Sequence, residues 1–131
     1  RFVLTVEDAV DLVLFALAHM RGGEVFVPVL PSAYMLDLAA AVAPSEDYPV
    51  RILSSRPGGK KLAEALLNEE EPVRTVRVGP HYAVLPSHHE WTAEPWPWPA
   101  VEPWLVYRSD RNARWLGPEE LRVLLAGTRA C

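Results

Sequence analysis

The sequence holds a single cysteine, Cys131, at its very end. No intrachain disulfide can form, which excludes the cysteine-stapled folds of small secreted domains and agrees with a reducing compartment; a cytoplasmic location is the expectation. Long apolar runs are also missing. The longest, Val10 to Ala18, is broken by Asp11 and is too short to cross a bilayer, so no membrane span is expected. No signal-peptide pattern leads the chain, and no initiator methionine either: it begins Arg1-Phe2-Val3-Leu4, as expected of a fragment, a processed chain or a trimmed one. Excess positive charge is absent. The net charge of −4 disfavours nucleic acid as a partner.

Catalytic signatures are equally scarce. Gly58-Gly59 lacks the G-x-G-x-x-G spacing and the downstream acid that would cradle a dinucleotide. Tyr34, Tyr48, Tyr82 and Tyr107 each lack a lysine four residues on, so there is no Tyr-x-x-x-Lys acid/base pair. Ser54 and Ser55 have no glycine elbow around them. His88-His89-Glu90 resembles a metal-binding scrap, yet neighbours in an extended chain point to opposite faces and rarely chelate one ion. His19 is explained by its place near a helix C-terminus, where the dipole favours an imidazolium. No metal site and no catalytic residue are expected in this chain.

What the sequence does contain is enough for one domain, residues 1–131. Half of its residues are hydrophobic and 23% are charged, an ordinary globular composition. Thr5-Val6-Glu7-Asp8 reads as a capping-box start, and Val6, Ala9, Val10, Val13, Leu14 and Leu17 follow helical spacing to about Met20. Arg21-Gly22-Gly23 closes that helix. Glu24–Leu30 reads as a strand that Pro28 confines to an edge or a bulge. Ser32 is the expected cap of a second helix, which Pro44 ends. A third strand is expected at about 50–54 and a third helix at about 60–69, running into the acidic Glu69-Glu70-Glu71. Two short strands flank Gly79-Pro80, another resumes near Tyr107, and Pro118-Glu119-Glu120 opens a final helix with Gly127 past its end. The fold class is α/β, a small mixed sheet with about four helices. From Pro86 onward, within a loop assigned to 86–104, Trp91, Trp96, Trp98 and Trp104 interleave with prolines and acids. The plain reading is hydrophobic staples, and the sharper one a stacking surface for sugars or proline-rich peptides built on Trp96 and Trp98.

One stretch carries a binding signal. In Ser54-Ser55-Arg56-Pro57-Gly58-Gly59-Lys60-Lys61, breakers turn the chain and three cations gather before a helical pattern. Guanidiniums and ammoniums near a helix start suit a phosphate. The bland alternative is a solvated turn with surface lysines.

Three blocks together resemble the C-terminal, substrate-binding region of extended short-chain dehydrogenase/reductase enzymes that act on nucleotide sugars. The branch is similar to the bacterial polysaccharide-biosynthesis UDP-N-acetylglucosamine 4,6-dehydratases and epimerases. The blocks are Arg1 to Val13, then Glu24-Val25-Phe26-Val27-Pro28 through Arg56-Pro57-Gly58 and Lys61-Leu62-Ala63-Glu64, then Tyr107-Arg108-Ser109-Asp110-Arg111-Asn112 with Trp115-Leu116-Gly117-Pro118-Glu119-Glu120-Leu121. The resemblance implies that two arginines clamp the nucleotide diphosphate. By position these are Arg1 and Arg56, with Lys60 and Lys61 adding charge. An acid that holds the ribose hydroxyls in relatives is replaced by Gly59 or Lys60. The NAD- or NADP-binding domain of relatives, with its glycine fingerprint and Tyr-x-x-x-Lys pair, has no counterpart in these 131 residues. The implied role is the nucleotide-sugar-binding lobe of a dehydratase or epimerase, not catalytic alone, working with a separate NAD-binding chain or as a homo-oligomer. On that reading, apolar residues of the first helix should be exposed or covered by a partner. The competing reading is a degenerate interaction or assembly module that has lost the ligand site.

Overall fold

A computed structural model describes residues 1–45, 47–53, 61–87 and 96–128. The backbone divides into two compact units. One comprises Leu4–Leu30 and Ala65–Arg108; the other comprises Arg1–Val3, Pro31–Glu64 and Ser109–Cys131.

In the first unit, helix α1 spans Val6–His19 and starts as its sequence requires. The Asp8 N–H donates to Thr5 Oγ1 at 3.0 Å and the Thr5 N–H donates to Asp8 Oδ2 at 3.4 Å, so the capping box satisfies donors that the first turn cannot. Behind the helix, Gly22 and Gly23 take positive φ, and the Arg21 and Gly22 N–H groups donate to the Glu24 carboxylate. Strands β1 (Val25–Val27), β3 (Thr75–Val78) and β4 (His81–Val84) form an antiparallel sheet in the order β1-β4-β3. β1 lies at an edge, the place that tolerates Pro28 just beyond it. The β3–β4 hairpin pairs Thr75 with Val84 and Val78 with His81 around Gly79-Pro80. Gly79 sits at φ +54°, and a Cβ there would stand 3.4 Å from the Phe15 ring, so both the turn and the helix packing favour glycine. Phe15 is the anchor of α1. Its ring meets Phe26 and His81 edge-on at 6.1 and 4.9 Å, over a core of Val76, Val78 and Ala83.

The later part of the tryptophan–proline stretch seals the open edge of β3. The Arg77 N–H donates to the Pro99 carbonyl at 2.8 Å and the Val101 N–H to the Thr75 carbonyl at 3.1 Å, which blunts an edge that would otherwise pair with other chains. Trp96 and Trp98 stack at 5.6 Å, the Arg21 guanidinium lies 5.9 Å from the Trp98 ring, and Trp98 packs on the core as a staple would, whereas Trp104 is 76% exposed and staples nothing. Residues 88–95, including His88, His89, Glu90 and Trp91, lie outside the described residues.

The helix expected at 60–69 is corrected by the structure. Ala65–Leu67 is a strand, β2, paired antiparallel with β5 (Tyr107–Arg108). Leu-Ala-Glu-Ala-Leu-Leu has good helix propensity, but the pairing buries Leu67 completely and Asn68 then breaks the chain. The Asn68 side-chain Oδ1 accepts from the Glu70 and Glu71 N–H groups, an Asx turn that outcompetes a weak local preference.

In the second unit, Phe2 and Trp115 both bridge to Ser32. Helices α2 (Met35–Val42) and α3 (Pro118–Thr128) pack around Ala33, Leu116 and Leu121, with Val3, Leu38 and Ala41 closing the cluster. Ser32 is not the cap of α2. It is fully buried in the bridge, its N–H donating to the Arg114 carbonyl and its carbonyl accepting from Leu116, while Tyr34 holds the cap position with no side-chain cap bond. Residues 50–53 form no strand, and Ser54 lies outside the described residues. Gly127 falls inside α3 rather than past it. The described residues thus carry three α-helices and a short 3-10 turn at Pro72–Arg74, where about four helices were expected.

Candidate functional site

The second unit brings Arg1 together with residues 61–64. The Arg1 amino group donates to the Ala33 carbonyl at 2.8 Å, and Ala33 returns a bond to the Arg1 carbonyl, so the backbone of Arg1 is fixed against the bridge. Its guanidinium reaches across 63 residues of sequence to the Glu64 carboxylate, and its other terminal nitrogen donates to the Lys61 carbonyl. Two of five guanidinium N–H donors are thereby committed, and the side chain keeps 28% of its surface exposed.

Glu64 is itself held from behind. The buried Ser109 accepts from the Glu64 N–H through Oγ at 2.9 Å and donates its own N–H to the Glu64 carbonyl at 2.8 Å. Asn112 Nδ2 donates to Ser32 Oγ at 3.0 Å, and Trp115 Nε1 donates to the Asn112 carbonyl at 2.8 Å. In the first unit, the Tyr107 hydroxyl accepts from the Leu30 N–H at 2.6 Å and donates to the Leu30 carbonyl at 2.9 Å. Burial pushes the Tyr107 phenol above its ordinary pKa, opposed in part by that bond to Leu30. Tyr107 and Ser109 of the Tyr-x-Ser-x-x-Asn run therefore clasp distant backbone, and Asn112 holds a distant side chain.

Beside Arg1 lies a cleft of about 130 Å³ with Tyr34, Met35, Leu62, Asp110 and Trp115 among its walls. The Tyr34 and Trp115 rings stack at 4.5 Å with 22° between their planes.

Of the residues the sequence assigned to the site, Arg1 and the backbone of Lys61 meet, and the Lys61 side chain is exposed. Arg56 and Lys60 lie outside the described residues. Sequence reasoning gave no role to Glu64 and Ser109, because their contacts span 45 residues or more and leave no periodic or spacing signal. The Arg1 guanidinium is thus already paired with a carboxylate and keeps part of its surface open to solvent. Among the described residues, no cluster of His, Cys, Asp and Glu could hold a metal ion, and no helix is long and apolar enough to cross a membrane.

Comparison with known proteins gives the following. The sequence profile of the family described as polysaccharide biosynthesis protein matches residues 1–86. A UDP-N-acetylglucosamine 4,6-dehydratase (inverting) of Campylobacter jejuni is 31% identical over 98% of this chain and 40% of its own length. A UDP-glucose 4-epimerase of Rickettsia felis is 33% identical over 64% of this chain and 25% of its own length. In three dimensions, the X-ray structure of Pen from Bacillus thuringiensis superposes with a TM-score of 0.77 at 23% identity, covering 98% of this chain and 37% of that one. The chain thus spans about 40% of the length of the dehydratase it matches.

Proposed function

Because the chain belongs to the polysaccharide biosynthesis protein family, we propose that it is the nucleotide-sugar-binding lobe of a dehydratase- or epimerase-type enzyme and performs no chemistry alone. The lobe anchors the diphosphate of a UDP-sugar between Arg1 and the cationic turn of Arg56, Lys60 and Lys61. Hydride and proton transfer belong to an NAD- or NADP-binding domain outside these 131 residues, so that binding energy spent in the lobe orients the sugar. A cytoplasmic setting accompanies this reading.

The observation that carries it is the contact between the Arg1 guanidinium and the Lys61 carbonyl, which joins one proposed arginine to the end of the stretch containing the other. Alignment along 98% of the chain with a UDP-N-acetylglucosamine dehydratase supports the ligand class. So does α1, whose Val6, Val10, Val13, Leu14 and Leu17 are all more than half exposed, a stripe wide enough to dock another domain. UDP and UDP-N-acetylglucosamine should raise the melting temperature, and Arg56→Ala should remove the effect. Absence of a shift at millimolar ligand, with the chain folded, would reject the proposal.

The same exposed stripe also favours the second reading, an assembly module without a ligand. That reading requires stable association with another protein and indifference to UDP; a monodisperse monomer stabilised by UDP excludes it.

A further inference from the structure

The cleft beside Arg1 has the composition of a ring-binding site. We propose that the stacked pair Tyr34–Trp115 is a ledge for the sugar ring directly attached to the phosphate that Arg1 anchors; this rests on the nucleotide-sugar reading above. Tyr34 is 62% exposed although one aromatic neighbour already stacks on it, so the pair stands open to solvent beside the cleft. The ledge is rigid. Trp115 is pinned through its indole N–H to the Asn112 carbonyl, and Asn112 in turn donates to the buried Ser32. Tyr34 is held by its backbone, its carbonyl accepting from the Leu38 N–H at 3.1 Å as α2 begins. Little side-chain freedom remains to be lost on binding.

A furanose or pyranose presents an apolar C–H face and a rim of hydroxyls. The first suits the aromatic pair, with Met35 in the same cleft. About 130 Å³ accommodates one ring rather than a whole nucleotide sugar, and because Arg1 lines that cleft, the ring must be the phosphate's immediate neighbour. In a nucleoside diphosphate sugar two rings meet that description: the ribose and the hexose.

The test measures binding of UDP, N-acetylglucosamine 1-phosphate and inorganic pyrophosphate to the wild type, Tyr34→Phe, Tyr34→Leu and Tyr34→Ala. Tyr34 makes no side-chain cap bond and is largely exposed, so all three variants should fold; Tyr34→Leu keeps bulk without an aromatic face should Tyr34→Ala loosen α2. Tyr34→Phe should bind like the wild type. Tyr34→Leu and Tyr34→Ala should lose about five- to tenfold for one glycosyl phosphate while pyrophosphate is unchanged. Loss confined to UDP assigns the ledge to ribose, and loss confined to the sugar phosphate assigns it to the hexose. Equal loss for pyrophosphate, or no loss for either glycosyl phosphate, overturns the ledge and leaves the anion grip standing. Failure of the wild type to bind any of the three removes the nucleotide-sugar reading, and the ledge with it.

Discussion

Replacing Glu64 with glutamine separates two roles that a single ion pair could play. The Arg1–Glu64 pair is partly solvent-exposed on both sides, at 28% and 49%, so its contribution to stability is that of a surface pair, about 1 kcal/mol or less. For a chain of this size that is a fall in melting temperature of roughly 3–5 °C at most. Glutamine can still accept from the guanidinium, so Arg1 should keep its place. The charge balance of the corner does change. A diphosphate seated on Arg1 lies within roughly 6 Å of the Glu64 carboxylate, where each pair of unit charges repels by about 0.7 kcal/mol in water-like surroundings. Two to three anionic charges make that about 1.5–2 kcal/mol. Glu64→Gln should therefore bind UDP about tenfold more tightly at low salt, and the gain should shrink as ionic strength rises. Calorimetric titration at two salt concentrations, with a melting curve of each protein, measures both effects. A variant that binds UDP more weakly than wild type, or loses more than about 3 kcal/mol of stability, would refute this reasoning and make Glu64 an obligatory support.

Three further outcomes follow from the same contacts. Ser109→Ala deletes the buried acceptor of a part-buried Glu64 N–H and should cost about 1 kcal/mol in denaturant unfolding, at least as much as Glu64→Gln itself. His81 has its pKa lowered, by burial first and then by Arg77, and its Nδ1 is buried without a partner. The unfolded chain then takes up a proton near pH 6.5 that the folded one resists. Stability should be intact above that pH and fall as pH drops below it, and His81→Phe should flatten the decline in melting temperature between pH 7 and 5. Leu14→Glu, on the exposed stripe of α1, should change stability by under about 0.5 kcal/mol yet abolish co-purification with an NAD-binding domain supplied as a separate chain.

Elements fixed by neighbouring residues were legible in the sequence. The capping box at Thr5, the glycine stop at Gly22-Gly23, the hairpin around Gly79-Pro80 and the proline start of α3 each rest on residues within one turn of one another. Elements decided by distant partners were not. Leu62 to Leu67 carries a helical pattern, and only pairing with Tyr107 and Arg108 makes Ala65–Leu67 a strand. Ser32 looks like a cap until Phe2 and Trp115 are seen to bridge to it. The site divides in the same way. Charge type raised the expectation of an anion corner, of which Arg56 and Lys60 lie outside the described residues, whereas the counter-charge on Arg1 and the clasp beneath it depend on contacts 63 and 45 residues apart.

The account stands on two guanidiniums from distant parts of one unit sharing a single diphosphate. A double-mutant cycle on UDP affinity, with Arg1→Gln, Arg56→Gln and the double variant, measures that directly. Each single change should weaken binding at least tenfold, and the double variant should lose clearly less than the sum, a coupling of about 1 kcal/mol or more. Strict additivity, or a wild type that does not bind UDP, would contradict it.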